Sequence, residues 1–159
     1  MVRPQLIPDR GRRLTLTDWR LLAAMTVAQV VVAGALRTMR LPALRAGGGR
    51  VRRLARVLVG SSDDRIVWAI EATGRRLGRL SSCLIRALVA EFVLDSNDGP
   101  VHLTIGVKRT GDALEAHAWV TRQNHILIGA TSDQFIPLVT WPSHRSGRLC
   151  SGDGRSAGT

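Results

Sequence analysis

The chain has 159 residues, 45% of them apolar and 4% aromatic, with no tyrosine; this fits one domain, or a small domain with a helical extension, built on Leu, Val, Ile and Ala, and excludes a chain too polar to fold. Its formal charge of +11 lies in the first half: residues 1–80 hold 16 arginines and 5 acids, whereas residues 81–159 hold 7 basic and 7 acidic side chains. Such a cationic module attracts anions over ~8 Å without choosing among them, but the neutral, apolar second half and the lack of an aromatic-rich basic surface argue against nucleic acid as the partner.

In chain order, residues 1–14 carry Pro4, Pro8 and the run DRGRR, and read as a disordered basic arm. Thr15 or Thr17 can cap the helix that follows, with Asp18 in its first turn, where the helix dipole favours an acid. From Leu21 to Leu36 this helix is apolar except for Thr26 and Gln29. That run falls short of the ~20 residues that span a bilayer, so a buried helix of a soluble protein is expected. A peripheral membrane contact, which an apolar helix followed by arginines would suit, is not expected.

Pro42 and glycines 47–49 mark a break. Residues 50–59 read as a short helix whose Arg52, Arg53 and Arg56 are solvated or face a partner. Ser62, with Asp63 and Asp64, starts a helix with an Ile66, Ala69, Ile70, Thr73 stripe, and Trp68 is expected in the core. The stretch SSCLIRALVAEFVL is a helix of about three turns capped by Ser81 or Ser82. Strands follow: GPVHLTIGVKR, LEAHAWVTR, HILIGA and FIPLVTW, with a two-residue turn at Gln123–Asn124 between the second and third. The Gly- and Ser-rich tail after Pro142 is expected to be disordered. The domain plan is therefore a basic helical region over 1–60, a core over 61–142 and a tail over 143–159.

Two cysteines, with no CxxC and no metal-ligand spacing, suggest neither a disulfide framework nor a metal or cofactor site; a reducing cytoplasm is the simpler compartment. Cys83 opens a helix. An ordinary thiol, with pKa ~8.5, is mostly protonated at neutral pH, and a helix N-terminus favours the thiolate. An imidazole near it would take the proton as general base, and backbone N–H groups around Cys83 could hold an oxyanion. Taken alone, Cys83 reads as a small buried hydrophobe, and His117, in EAHAWV, as a hydrogen-bonded core histidine. Their order, a helix-opening cysteine and then a histidine in a hairpin, pairs them as nucleophile and base. If Gln123 and Asn124 are the turn, residue 130 falls opposite His117. Asp133, three residues on, is the nearest downstream carboxylate and the candidate to orient the ring, against a solvated loop acid. His102 and His125 are rival bases expected to face solvent; His144 lies in the tail.

The stretches SSCLIRAL, IGVKRTGDALEAHAWV and HILIGATSDQFIPLVTW resemble the transglutaminase-like cysteine peptidase domain of lasso-peptide maturation B proteins, over roughly residues 14–141. The resemblance implies an α+β fold in which N-terminal helices precede a small antiparallel sheet packed on the cysteine-bearing helix, a transglutaminase-like or papain-like core. It implies leader removal from a ribosomal precursor peptide, with Cys83 as nucleophile and His117 as base, before a partner cyclase joins the freed amine to an acidic side chain. Family members often carry an acid about a dozen residues after the histidine; here that place is Gly129. Asp133 is then a substitute, or a dyad is helped by a backbone carbonyl. With no leader-recognition domain legible, the resemblance implies a separate recognition protein as partner. Two other classes stay open: a basic, non-catalytic binding module, and a cysteine acyltransferase of the same fold.

Overall fold

Thr15 starts the first helix by exchanging hydrogen bonds with Asp18. Its hydroxyl accepts the Asp18 N–H at 3.3 Å, and the Asp18 carboxylate accepts the Thr15 N–H at 2.9 Å, a capping box closed by aspartate. The computed structural model describes residues 14–46, 62–94 and 100–142. The proposed basic arm before residue 14, the helix at 50–59 with Arg52, Arg53 and Arg56, and the tail with His144 and Cys150 lie outside the described residues.

Helix α1 (Leu16–Thr38) is 23 residues long, longer than its apolar run. By length and composition it could cross a membrane, although a third of its apolar window is buried inside the fold. The inner stripe includes Leu21, Leu22, Met25, Gln29, Val32 and Ala33. An ion pair from Arg65 to Asp18 ties its first turn to α3. Residues 41–46 form a short helix, α2, with Pro42 in the first turn, where a missing N–H breaks no helical bond.

Helix α3 (Asp63–Leu77) buries the expected Ile66, Ala69, Ile70 and Thr73. Ser62 is its N-cap, but it serves through its carbonyl, which accepts the Arg65 and Ile66 N–H groups at 3.0 and 3.1 Å; its hydroxyl makes no cap bond. Trp68 is only partly buried against the core. Gly78, at φ +52°, ends α3, and a 3-10 turn, Gly78–Leu80, leads to helix α4 (Cys83–Leu94).

α4 is the centre of the molecule. Every residue from Ala87 to Leu94 is buried, because α1 and α3 pack on one side of the helix and the sheet on the other. An apolar sequence all round the helix is what such a position requires. Its one acid, Glu91, is 1% exposed and is held by the Arg45 guanidinium through two nitrogens. Arg45 also lies 5.1 Å over the Trp141 ring, so α2, α4 and the last strand meet at one buried ion pair.

The sheet comprises β1 (His102–Thr110), β2 (Ala113–Arg122), β3 (His125–Ile128) and β4 (Ile136–Pro142), in the order β3-β2-β1-β4. The β1–β2, β1–β4 and β2–β3 pairs are antiparallel. Gln123 and Asn124 have φ of +46° and +66°, the two positive values of a type I′ hairpin turn. Residues opposite each other in an antiparallel ladder share a face. Leu103 with Val120 and Ile105 with Ala118 form the face that joins the helical core. His117 with Gly106, and Trp119 with Thr104, occupy the other face.

Candidate active site

Cys83 is the first residue of α4, half-buried, with a free thiol. Ser82 is the cap: its carbonyl accepts the Arg86 N–H at 3.1 Å and its hydroxyl the Ile85 N–H at 3.4 Å. The N–H groups of Cys83 and Leu84, at the first two helical positions, have no intrahelical acceptor. They are the donors that a negatively charged oxygen beside Cys83 would meet.

The turn before Cys83 is anchored from behind. Ser81, 5% exposed, donates its hydroxyl to Gln29 Oε1. Gln29 is fully buried in α1, and its Nε2 donates to the Ile70 carbonyl at 3.1 Å and to Thr73 Oγ1. Three elements thus meet at one amide whose polar atoms are all used. The sequence carried a signal of this, a lone glutamine inside the apolar run, but not the identity of its partners.

His117 is half-buried near the middle of β2. Its Nε2 lies 2.9 Å from the Gly129 carbonyl oxygen. A carbonyl only accepts, so Nε2 carries the hydrogen and Nδ1 of the neutral ring keeps its lone pair. The Trp119 ring is stacked at 6.2 Å, and Phe135 is tilted at 5.0 Å from the imidazole. Trp119 can lie there because Gly106, opposite His117 and diagonal to Trp119, has no side chain. A Cβ at 106 would sit 2.7 Å from the Trp119 ring and 2.7 Å from the Ile136 carbonyl oxygen.

Gly129 rather than residue 130 meets β2 because β3 stops at Ile128, so the ladder never reaches His117. The one-residue shift between Val120 and Thr121 would by itself set residue 131 opposite His117. Gly129 then turns with φ +82°, so tightly that a Cβ would lie 2.7 Å from the Ala118 carbonyl oxygen and 3.0 Å from Trp119 Cα. Only glycine fits this conformation and this approach.

Asp133, expected to orient the ring, pairs elsewhere. Its carboxylate accepts a 2.9 Å hydrogen bond from Lys108 Nζ, and no hydrogen bond joins it to His117 among the described residues. Asp133 is an exposed acid in the 129–135 connection, which runs from one edge of the sheet to the other past His117. Lys108 is bonded to Asp133, with Glu115 at 3.6 Å. The Asp133 hydrogen bond, with the charges of Asp133 and Glu115, holds its ammonium above the ordinary lysine value. Of the rival bases, His102 is half-buried on β1 and His125 is exposed at the start of β3.

The relation between Cys83 and His117 follows from the other end of the same elements. Arg122 donates to the Leu94 carbonyl, joining the end of β2 to the end of α4. The twelve residues of α4 span about 16 Å, and the step back from Arg122 to His117 spans about 17 Å. α4 packs on β2 through the face of Ala118 and Val120, whereas His117 projects from the opposite face; along the strand, the start of α4 is level with the middle of β2. No hydrogen bond joins the thiol to the ring among the described residues. Beyond Ile128, β2 has no described strand on its β3 side.

No curated protein and no solved structure matches the chain. A family model does, over residues 14–140, and it is that of the transglutaminase-like superfamily, which includes cysteine peptidases and transglutaminases. The match runs from the cap of α1 to the last strand and takes in Cys83, His117 and Gly129. With helices leading into a four-stranded antiparallel sheet on the cysteine-bearing helix, the chain is an α+β protein that belongs to the transglutaminase-like superfamily.

Proposed function

We propose that this protein is a cysteine peptidase that removes the leader from a ribosomally made precursor peptide in lasso-peptide maturation. The observation that carries the chemistry is the hydrogen bond from His117 Nε2 to the Gly129 carbonyl. It fixes the tautomer whose Nδ1 lone pair can take the proton of Cys83. The motifs SSCLIRAL and AHAWV support the assignment to leader removal.

In the first step the Cys83 proton passes to His117 Nδ1 and the sulfur attacks the scissile carbonyl carbon. The oxyanion that forms is met by the N–H groups at the start of α4. The carbon–nitrogen bond then breaks, the departing amine takes the proton from the imidazolium, and a thioester remains on Cys83. Water, deprotonated by His117, attacks the thioester, and the acid leaves as the thiol regains its proton. The Gly129 carbonyl steadies the imidazolium throughout, the part that a carboxylate plays in a triad. Asp133 could take that part only by exchanging Lys108 for His117.

The partners of this reading are the precursor, a separate leader-recognition protein that presents it, and the cyclase that uses the freed amine; the proposed compartment is the cytoplasm. Wild-type protein, precursor and recognition partner are mixed and the products weighed by mass spectrometry. Expected is a shortened peptide ending in a free acid, lost in Cys83→Ala and His117→Ala but kept in Cys150→Ala. An amide formed with an added amine would instead identify an acyltransferase. Full tolerance of Cys83→Ala with steep salt-dependent lipid or DNA binding would identify a binding module.

A further inference from the structure

We infer that the outer face of α1 is a docking surface for an anionic lipid bilayer, on which the helix lies along the headgroups and does not cross the membrane. The inference stands apart from the chemistry of Cys83 and His117.

α1 divides lengthwise into two faces. Leu21, Met25, Gln29 and Val32 are buried on the inner one. Trp19, Ala23, Val27, Val30, Val31 and Gly34 recur at helical spacing on the opposite side, and all six are exposed. Val27, Val30 and Val31 are 62%, 49% and 57% exposed. Between Arg20 and Arg37, over about 25 Å of helix, no exposed residue is polar. The sequence leads to the expectation that this run is buried and meets no membrane, yet burial reaches only a third of it. The solvent side of a surface helix is ordinarily polar, and valine is a poor helix former there, so solvent alone does not account for this face.

Charge and shape select the occupant. Arg20, Arg37 and Arg40 are exposed at the two ends of the apolar stretch, and none pairs with an acid among the described residues. The chain carries a net charge of +11, which repels a second copy and attracts an anionic surface. The face is the convex ridge of one helix, with no polar group to pair between its ends. A fluid bilayer takes such a ridge without a matching groove. The valines enter the acyl boundary, Trp19 sits at the interface that tryptophan favours, and the arginine stems reach back to lipid phosphates. The inner face keeps α1 from crossing: Asp18 is ion-paired with Arg65, and Gln29 donates to the Ile70 carbonyl and to Thr73, polar partners that hydrocarbon would not replace. Gln29 also holds Ser81 from the inner face, so docking through the outer face leaves the turn before Cys83 in place.

The test mixes the full chain at physiological salt with vesicles of phosphatidylglycerol and phosphatidylcholine in equal parts, or of phosphatidylcholine alone, and measures the bound fraction by sedimentation. Partition is expected to be tenfold or more stronger on the anionic vesicles. It is expected to fall tenfold or more on them in the double variant Val27→Asp, Val31→Asp, and as far in the triple variant Arg20→Gln, Arg37→Gln, Arg40→Gln. Both variants should keep the wild-type circular dichroism and the rate at which iodoacetamide labels Cys83. Equal partition of wild type and the folded aspartate variant would leave only the general pull of a basic chain and would overturn the inference, as would equal binding to the two kinds of vesicle. A wild-type dimer in light scattering that the aspartate variant loses would assign the face to a second copy and overturn it as well. If the aspartate variant does not fold, a nitrobenzoxadiazole dye on Val27→Cys, in a chain with Cys83→Ala and Cys150→Ala, decides: a blue shift of its emission on anionic vesicles supports the inference, and an unchanged spectrum refutes it.

Discussion

Gly129 presents its carbonyl to His117 Nε2 at 2.9 Å while its own Cα faces the backbone of Trp119, so closely that a Cβ would come within 3.0 Å. The residue that orients the imidazole is thus one with no side chain. Gly129→Ala should strain the backbone at φ +82° and push the 129–135 connection off β2. The expected outcome is a loss of ~1–3 kcal/mol in stability and at least a tenfold fall in peptide cleavage. Thermal denaturation and turnover, measured on the same preparation, check it. Gly129→Asp should fare no better, because its carboxylate would arrive with the same clash.

Asp133→Asn separates the two accounts of how His117 is oriented. If the Gly129 carbonyl does the work, cleavage should stay within about threefold of wild type, since an exposed ion pair contributes little. A hundredfold loss would restore Asp133 to the triad. The Lys108 shift is upward, so whatever the Lys108–Asp133 bond contributes is complete below the ordinary lysine value of 10.5 and is lost only as pH rises beyond it. The 129–135 connection should therefore keep this attachment across neutral pH, and a pH–rate profile from 5 to 9 should be unchanged in shape by Asp133→Asn.

Gln29→Leu keeps roughly the volume of the side chain and removes its hydrogen bonds. The buried Ser81 hydroxyl would lose its Gln29 acceptor, at about 1–3 kcal/mol, whereas the Ile70 carbonyl keeps the Thr73 hydroxyl at 3.2 Å. A lower midpoint in urea at an unchanged slope is the expected result, together with slower alkylation of Cys83 as the turn before it loosens.

Arg45→Ala should destabilise the fold by about 3–5 kcal/mol, because it leaves Glu91 charged and buried at the centre of α4. Replacing both residues, Arg45→Met with Glu91→Leu, should recover most of that loss. Denaturant unfolding of the single and double variants checks the claim, and additive losses would refute it.

Much of the fold was legible in the sequence because local rules agreed with one another. The Ile66, Ala69, Ile70, Thr73 stripe, the Gln123–Asn124 turn and the Ser82–Cys83 helix start each depend on neighbours in the chain. Of the proposed site, only the side chains were legible, as in Cys83 and His117. A backbone carbonyl has no residue signature, so the part taken by Gly129 showed only as a missing acid. The pairing expected from the turn does not reach His117, because β3 stops at Ile128 and the chain turns at Gly129, which becomes the neighbour of His117 instead of residue 130. Gln29 stood out as polar in an apolar run, but its link to Ser81 spans 52 positions, beyond any local pattern.

The central claim is that His117 activates Cys83, and the rate at which iodoacetamide labels Cys83 at pH 7 tests it most directly. Intact-protein mass spectrometry on wild type and on folded His117→Ala gives that rate free of substrate, partner or product. The account predicts labelling at least tenfold slower in the variant. Equal rates in the two proteins would mean that the ring and the thiol do not communicate, and would contradict it.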